Sequence, residues 1–356
     1  MPAIMRALAR SFRATRPGNW WFSKIPPLLA VAYLDILRLG TDPVLGALLL
    51  GCFLCSIAMV AGYGHVINDA CDVETDLRAG KHNHMAGTSW TSRILLCASL
   101  LLAGFAPAAV VHYAPPTLLL LALNLLWPTV YSVPGVRLKE RGIAGLACDA
   151  LGSHVTPTLL AFSLFAMTSP AQPGLLFPVL MTAWAAVLGI KGILHHQIVD
   201  RTSDLSSGTV TFATRASPKR MSHFLTLFNL CAELPVSVAL ALATWRWAPL
   251  VPAALAIYCL LETIKYRLGF EFALTSEAWT RRRSVPFINE SFYVLWLPLA
   301  AAIQLAASGL VWIWLPIVHV LLFWFNVAAQ FAELKAVIQV ADLPNRLVRR
   351  ANKSVQ

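Results

Sequence analysis

The chain has 356 residues, of which 58% are hydrophobic and 13% charged, with a mean hydropathy of +0.65 and a formal net charge of +11. That much apolar surface exceeds what one water-soluble core can hide, which excludes an ordinary soluble domain and makes the lipid bilayer the first partner. No basic stripe is interleaved with aromatic residues on a polar surface, so nucleic acid is excluded as a partner.

Residues 1–24 carry Arg6, Arg10, Arg13, Arg16 and Lys24 and no small-residue cleavage site. They are expected to form a basic cytosolic segment with a short amphipathic helix on the membrane surface, not a removable signal peptide. About ten apolar stretches follow, at 25–39, 43–67, 94–113, 116–133, 143–167, 175–199, 224–245, 248–264, 287–307 and 311–334. Most approach the ~20 residues that cross a bilayer as a helix, which predicts an all-α polytopic membrane domain over 25–334 and a basic cytosolic tail over 335–356. The first stretch is the shortest, holds Pro26 and Pro27 and ends near Asp35 and Arg38, so it is expected to be re-entrant or tilted. Only Arg38 and Arg246 then fall on the side opposite the other basic loops, which predicts cytosolic termini and an inner-membrane protein working at its cytosolic face. The run Arg281, Arg282 and Arg283 reads as a topology anchor, with Asn289 and Glu290 opening the next span. Seven cysteines, nearly all within predicted spans, make no disulfide framework.

Polar residues collect in a few loops on the inner face, at 68–93, 134–141, 200–223 and 265–284. Five of the nine aspartates form two clusters, one with Asn68, Asp69, Asp72 and Asp76, the other with Asp200 and Asp204. On a helix, Asp69, Asp72 and Asp76 share one face, as do Asp200 and Asp204. A single such motif reads most simply as a solvated helix end. Two of them at the same end of membrane helices repel internally and call for a cation, and hard oxygen donors suit Mg2+, which keeps waters and is completed by substrate phosphates.

The pattern Asn68-Asp69-xx-Asp72-xxx-Asp76, followed far downstream by Asp200-xxx-Asp204, resembles the UbiA superfamily of intramembrane prenyltransferases. The similarity runs from about Arg16 to Ile264 and includes the tract from Tyr131 to Arg141. It implies a bundle of about nine to ten helices around a central cavity open to the cytosolic side. It also implies Mg2+-dependent transfer of a prenyl group from an isoprenoid (polyprenyl) diphosphate donor to an acceptor that no motif here identifies. By the same resemblance, Asn68, Asp69, Asp72, Asp76, Asp200 and Asp204 make the metal and diphosphate site, with Lys139 and Arg141 on its basic side. Arg137 and Lys81 are further candidates for the diphosphate.

Other polar residues inside spans are costly in lipid and become functional candidates. Asp149 is expected to face the interior as an acceptor ligand, base or packing partner. Within His195-His196-Gln197, His196 lies one turn before Asp200 as a base or orienting group, and Gln197 lies near the metal face; His65 stands one turn before Asn68. Glycines such as Gly189 and Gly192 are expected to let helices approach closely or bend. Two departures from the resemblance stand out. The Arg-rich RxxRP-like stretch is replaced by Arg78-Ala79-Gly80-Lys81-His82-Asn83-His84, and the frequent GKxT element appears as Gly208-Thr209-Val210-Thr211, without its lysine. The rival readings are a membrane terpene cyclase, an ion-coupled carrier and a noncatalytic scaffold.

Overall fold

The computed structural model describes residues 3–168, 174–268, 288 and 290–341. Residues 281–283, Asn289 and the tail from 342 onward lie outside these. All the regular elements described are helices. They are labelled α1 (Ala3–Ala14), α2 (Ile25–Leu39), α3 (Pro43–Arg78), α4 (Trp90–Val110), α5 (Pro115–Ser132), α6 (Ile143–Thr168), α7 (Leu176–Val199), α8 (Arg201–Ser207), α9 (Pro218–Thr244), α10 (Leu250–Arg267), α11 (Phe292–Ser308), α12 (Leu310–Leu322) and α13 (Trp324–Ala341). Among the described residues, five helices (α3, α4, α6, α7 and α9) are long and apolar enough to cross a membrane, or six if the bent pair α12 and α13 is one span. Leu95, Leu102, Val179 and Leu242 are exposed on them, the outward apolar surface that lipid covers.

At ~1.5 Å per residue the 36 residues of α3 extend roughly 54 Å. That is well beyond ~30 Å of hydrocarbon, and the surplus turns are those that hold the first aspartate cluster. The helix therefore continues through residues 68–78, the first part of the polar segment 68–93, and carries Asp69, Asp72 and Asp76 as helical residues. Asp42 caps its start, accepting from the amides of Val44 and Leu45 at 3.0 Å each. Gly80, at φ 68°, ends it: the Lys81 amide returns to the Asp76 carbonyl at 2.8 Å and the Gly80 amide to Leu77 at 3.2 Å. The loop expected at 200–223 is likewise mostly helical, containing α8, the turn Phe212–Arg215 and the start of α9.

Three helices pass through a π-helical turn, at Leu151–Val155 in α6, Asn229–Glu233 in α9 and Phe292–Trp296 in α11. Each turn is followed two residues on by a proline, Pro157, Pro235 or Pro298. A proline lacks the amide for the usual ladder and crowds the carbonyl four residues back, and the wider turn relieves that crowding without breaking the helix. Lys191 of α7 donates to Glu233 of α9 at 2.7 Å and to the Ile288 carbonyl, and Tyr293 of α11 donates to the same glutamate. One buried charge pair thus ties three helices. At Gly189 a methyl group would stand 2.7 Å from the Ala150 Cα, so α7 packs backbone to backbone on α6; at Gly192 nothing lies within 4 Å, so close packing is not its role.

The helices α3, α5, α6, α7, α9, α10 and α11 pack in sequence, and α2 closes the ring between α11 and α3. It also packs on the second half of α6. It is one unbroken helix, buried along nearly its whole length, and its charges are neutralised internally where Arg38 donates to Asp35 at 2.6 Å. Near the same end, Thr41 and Thr168 hydroxyls meet at 2.9 Å. The opposite end of the bundle, where α3 and α7 finish, carries the aspartates. The final predicted stretch does not run straight: α12 and α13 meet at a 73° bend around Phe323. Trp21 Nε1 takes the Leu322 carbonyl at 3.0 Å, and Asn326 Nδ2 donates to Phe22 and Val294 carbonyls at 2.8 and 3.1 Å, so the bend leaves those backbone groups satisfied.

Candidate active site

Spacing by three and four residues puts Asp69, Asp72 and Asp76 on one face of α3. Asp69 and Asp72 are buried and Asp76 is half-buried. Arg16, in a left-handed conformation just before the turn Pro17–Trp20, donates to Asp69 Oδ1 at 3.1 Å. The N-terminal segment therefore folds back on the acidic face instead of only lying on the membrane surface. Lys139 Nζ donates to Asp72 Oδ2 and, at 3.1 Å, to Asn68 Oδ1, which also accepts from Ser132 Oγ at 3.3 Å. Arg137 places Nη2 3.0 Å from Asp72 Oδ1 while its Nε donates to Glu140 at 2.5 Å. Asn83 is buried and fully used: its Nδ2 donates to the Asp69 carbonyl (2.9 Å) and to Asp76 Oδ2 (2.7 Å), and its Oδ1 accepts from the Met85 amide (2.8 Å).

The second cluster begins where α7 passes into α8. Asp200 is exposed at that junction and Asp204 is buried in α8. Lys81, from the loop after α3, donates to Asp204 Oδ1 at 3.3 Å and so bridges the two clusters. The structure brings Asn68, Asp69, Asp72, Asp76, Asp204, Lys81, Arg137 and Lys139 together at one mouth, with Asp200 on its rim. Arg141 turns away and donates to the Gly135 carbonyl at 3.2 Å. Gln197 is buried with its Oε1 accepting from the Ala213 amide at 3.3 Å, holding the turn Phe212–Arg215, while its Nε2 makes no hydrogen bond.

Burial and charge compete across this mouth. Burial pulls the Lys139 ammonium below the usual lysine range against the opposing pull of Asp72. Burial pushes the Asp204 carboxyl up, and Lys81 opposes it. His84 is lowered by burial, partly offset by Asp69. Asp69 Oδ2 is buried with no hydrogen-bond partner, an acceptor that a cation would satisfy. Among the described residues no three His, Cys, Asp or Glu side chains converge tightly enough to enclose an ion by themselves. This donor set, carboxylates and one amide with the sphere left incomplete, fits Mg2+ finished by water and phosphate oxygens and does not fit a closed protein cage.

Deeper in the bundle, Asp149 of α6 is half-buried and accepts from Ser153 Oγ at 3.4 Å. His196 is exposed, and Lys24, Asp149, His195 and Asp200 act on it electrostatically. His65 lies within electrostatic range of Lys24, Arg16 and His196, and His154 of Lys24. Arg16, Lys24, Asn83, His84 and Ser132 were not singled out from sequence. The two basic residues were absorbed into the N-terminal charge excess, and an asparagine in a polar loop carries no distinguishing signal.

Residues 25–269 match the family model described as the UbiA prenyltransferase family. The chain belongs to that family. Its fold is similar to that of a UbiA homologue from Archaeoglobus fulgidus bound to DMAPP and Mg2+, with 17% identity, a TM-score of 0.59, and 85% of this chain and 98% of that chain covered. The same homologue bound to GPP and Mg2+ gives 18% identity, a TM-score of 0.58, and coverage of 85% and 99%. No curated protein matches the chain. The UbiA model covers α2 to α10, which include both aspartate clusters, and leaves α11 to α13 beyond its end.

Proposed function

We propose that this UbiA-family protein transfers a prenyl group from an isoprenoid diphosphate to an acceptor held within its bundle, after ionising the diphosphate at the aspartate-lined mouth. The observation that carries this reading is the meeting of two aspartate clusters, 123 residues apart at the Lys81 to Asp204 contact, with Lys139 and Arg137 beside them. The archaeal homologue that binds DMAPP or GPP with Mg2+ supports the same substrate class.

In this reading Asn68, Asp69, Asp72, Asp76, Asp200 and Asp204 would hold Mg2+ against the diphosphate, where it would supply positive charge to the leaving group. Lys139, Arg137 and Lys81 place ammonium and guanidinium donors at the same oxygens, where charge appears as the C–O bond breaks. The bond's electron pair leaves with the diphosphate. The allylic carbon then bonds to the acceptor nucleophile, whose proton passes to a base for which His196 and Asp149 are the candidates. A central cavity ringed by about nine to ten membrane helices holds the tail and excludes the water that would quench the cation. The prenyltransferase domain is 25–334, flanked by basic cytosolic segments, in a bacterial inner membrane with the mouth on the cytoplasmic side.

The test uses protein purified in detergent with geranyl, farnesyl and longer polyprenyl diphosphates, with and without Mg2+, reading pyrophosphate release and prenylated product after adding membrane extract. Release that requires Mg2+ and is lost in Asp72→Ala and Asp204→Ala is expected, with product only when an acceptor is present. Product from diphosphate alone would replace transfer by cyclisation, and no release with any donor would sink the reading.

A further inference from the structure

Gly62 and Asp69 are two helical turns apart and lie on one face of α3. The arm that follows α1 is seated against that face. A methyl group at Gly62 would stand 3.2 Å from the Thr15 Cβ, so the arm fits where α3 lacks a side chain. Arg16 comes next, left-handed at φ 51°, and its Nη1 donates to Asp69 Oδ1 at 3.1 Å. Asp69 Oδ2 is left buried and without a partner. From Thr15 to Lys24 the arm is tied by its own hydrogen bonds. Trp20 Nε1 donates to the Thr15 carbonyl at 2.7 Å, and the amides of Asn19, Trp21 and Lys24 donate to the carbonyls of Arg16, Pro17 and Trp20 at 2.9, 2.9 and 2.8 Å.

The far end of the arm is gripped by the bend between α12 and α13. Trp21 Nε1 donates to the Leu322 carbonyl at 3.0 Å. Asn326 is buried, and its Nδ2 donates both to the Phe22 carbonyl at 2.8 Å and to the Val294 carbonyl of α11 at 3.1 Å. The Trp21 ring stacks on Phe323 with centroids 5.6 Å apart, and the Phe22 ring lies 5.4 Å from that of Phe325. Arm and bend are 304 residues apart at the Asn326 to Phe22 contact, and both lie outside the residues 25–269 that match the family model.

We propose that the α12–α13 bend is a clasp on the N-terminal arm, and that Asn326 is a positioning residue for the first aspartate cluster, acting through Arg16 on Asp69. One amide joins the arm to α11, and the hydrogen-bonded turns between Phe22 and Thr15 carry that anchorage to Arg16. A carboxylate held at one oxygen by a fixed guanidinium presents its other oxygen in one orientation, and a metal ligand oriented in advance binds more tightly than one that must first be ordered. The C-terminal helices thereby act on the mouth without touching it. This inference rests on the diphosphate reading of the mouth.

Calorimetry on the full chain in detergent, titrating inorganic pyrophosphate with Mg2+, compares wild type, Arg16→Gln, Asn326→Leu and the double variant, with thermal midpoints taken without ligand. Arg16→Gln and Asn326→Leu are each expected to weaken binding about tenfold, the usual loss when the partner of a metal ligand is removed. Because both act on Asp69 in series, the double variant is expected to bind within about threefold of either single variant, where independent contributions would multiply to about a hundredfold. Asn326→Gln keeps the amide and is expected to recover most of the binding. Trp21→Phe keeps the ring and loses only the indole donor; it is expected to weaken binding in the same direction, and it carries the test if Asn326→Leu does not fold. A clasp variant that melts earlier yet binds like wild type would make the bend purely structural, and losses that multiply in the double variant would disconnect it from Arg16. Either result overturns the inference and leaves the diphosphate reading standing. Failure of wild type itself to bind removes both.

Discussion

Lys139 is the residue on which the first cluster depends most directly. It is mostly buried, donates to both Asn68 and Asp72, and stands where a leaving diphosphate would gather charge. Lys139→Met is expected to lower kcat/KM by roughly 10²–10³, the usual loss when one donor to a developing anion is removed, with much of the effect in kcat. Steady-state pyrophosphate release measures it, and a change confined to KM would move Lys139 from stabilising the reaction to merely holding the substrate. At this scale the sequence was informative about aspartates because five of nine occur in two short runs, and poor about their partners. Arg137, Lys139 and Arg141 are neighbours in sequence and alike in composition, yet only the first two reach Asp72. The left-handed Arg137 and the one-turn helix Leu138–Glu140 decide that, and neither is written in residue type.

Elements are positioned by a few contacts inside the apolar region. Lys191, Glu233 and Tyr293 join α7, α9 and α11, and Glu233 Oε2 remains buried without a hydrogen bond. Removing one partner of such a pair strands the other charge, so Lys191→Met is expected to destabilise the fold by about 3–5 kcal/mol, read as a lower thermal midpoint in detergent. Lys191→Met with Glu233→Leu is expected to recover most of it, since an apolar pair of similar volume restores neutrality. A double variant as unstable as the single would show that the pair has a role other than neutral pinning. The π turns that carry Glu233 and Tyr293 follow from proline spacing, but which buried groups those turns turn toward one another emerges only from packing.

For the whole molecule, the distribution of basic loops and the extension of α3 beyond the hydrocarbon place the mouth at one membrane face. Single cysteines substituted at His82 and Arg246, in a background without the seven native cysteines, are expected to react with an impermeant maleimide from opposite sides. His82 should label in inside-out vesicles and Arg246 in intact spheroplasts. Labelling of both from one side would overturn the topology.

Composition, the run of apolar stretches and the aspartate spacing are local properties, and by themselves they determined a helical membrane chain of the UbiA family with two acidic ends. Helix periodicity also put each set of carboxylates on one face. What only the tertiary structure decided is how those ends complete each other: that Lys81 crosses to Asp204, that Asn83 holds Asp76, that Arg16 folds back onto Asp69, and that the last apolar stretch bends at Phe323. Each of these joins groups set beside one another by a helix ending or a neighbouring helix, and hydrophobic patterning is blind to which polar side chain finds which when burial makes an unpaired one costly.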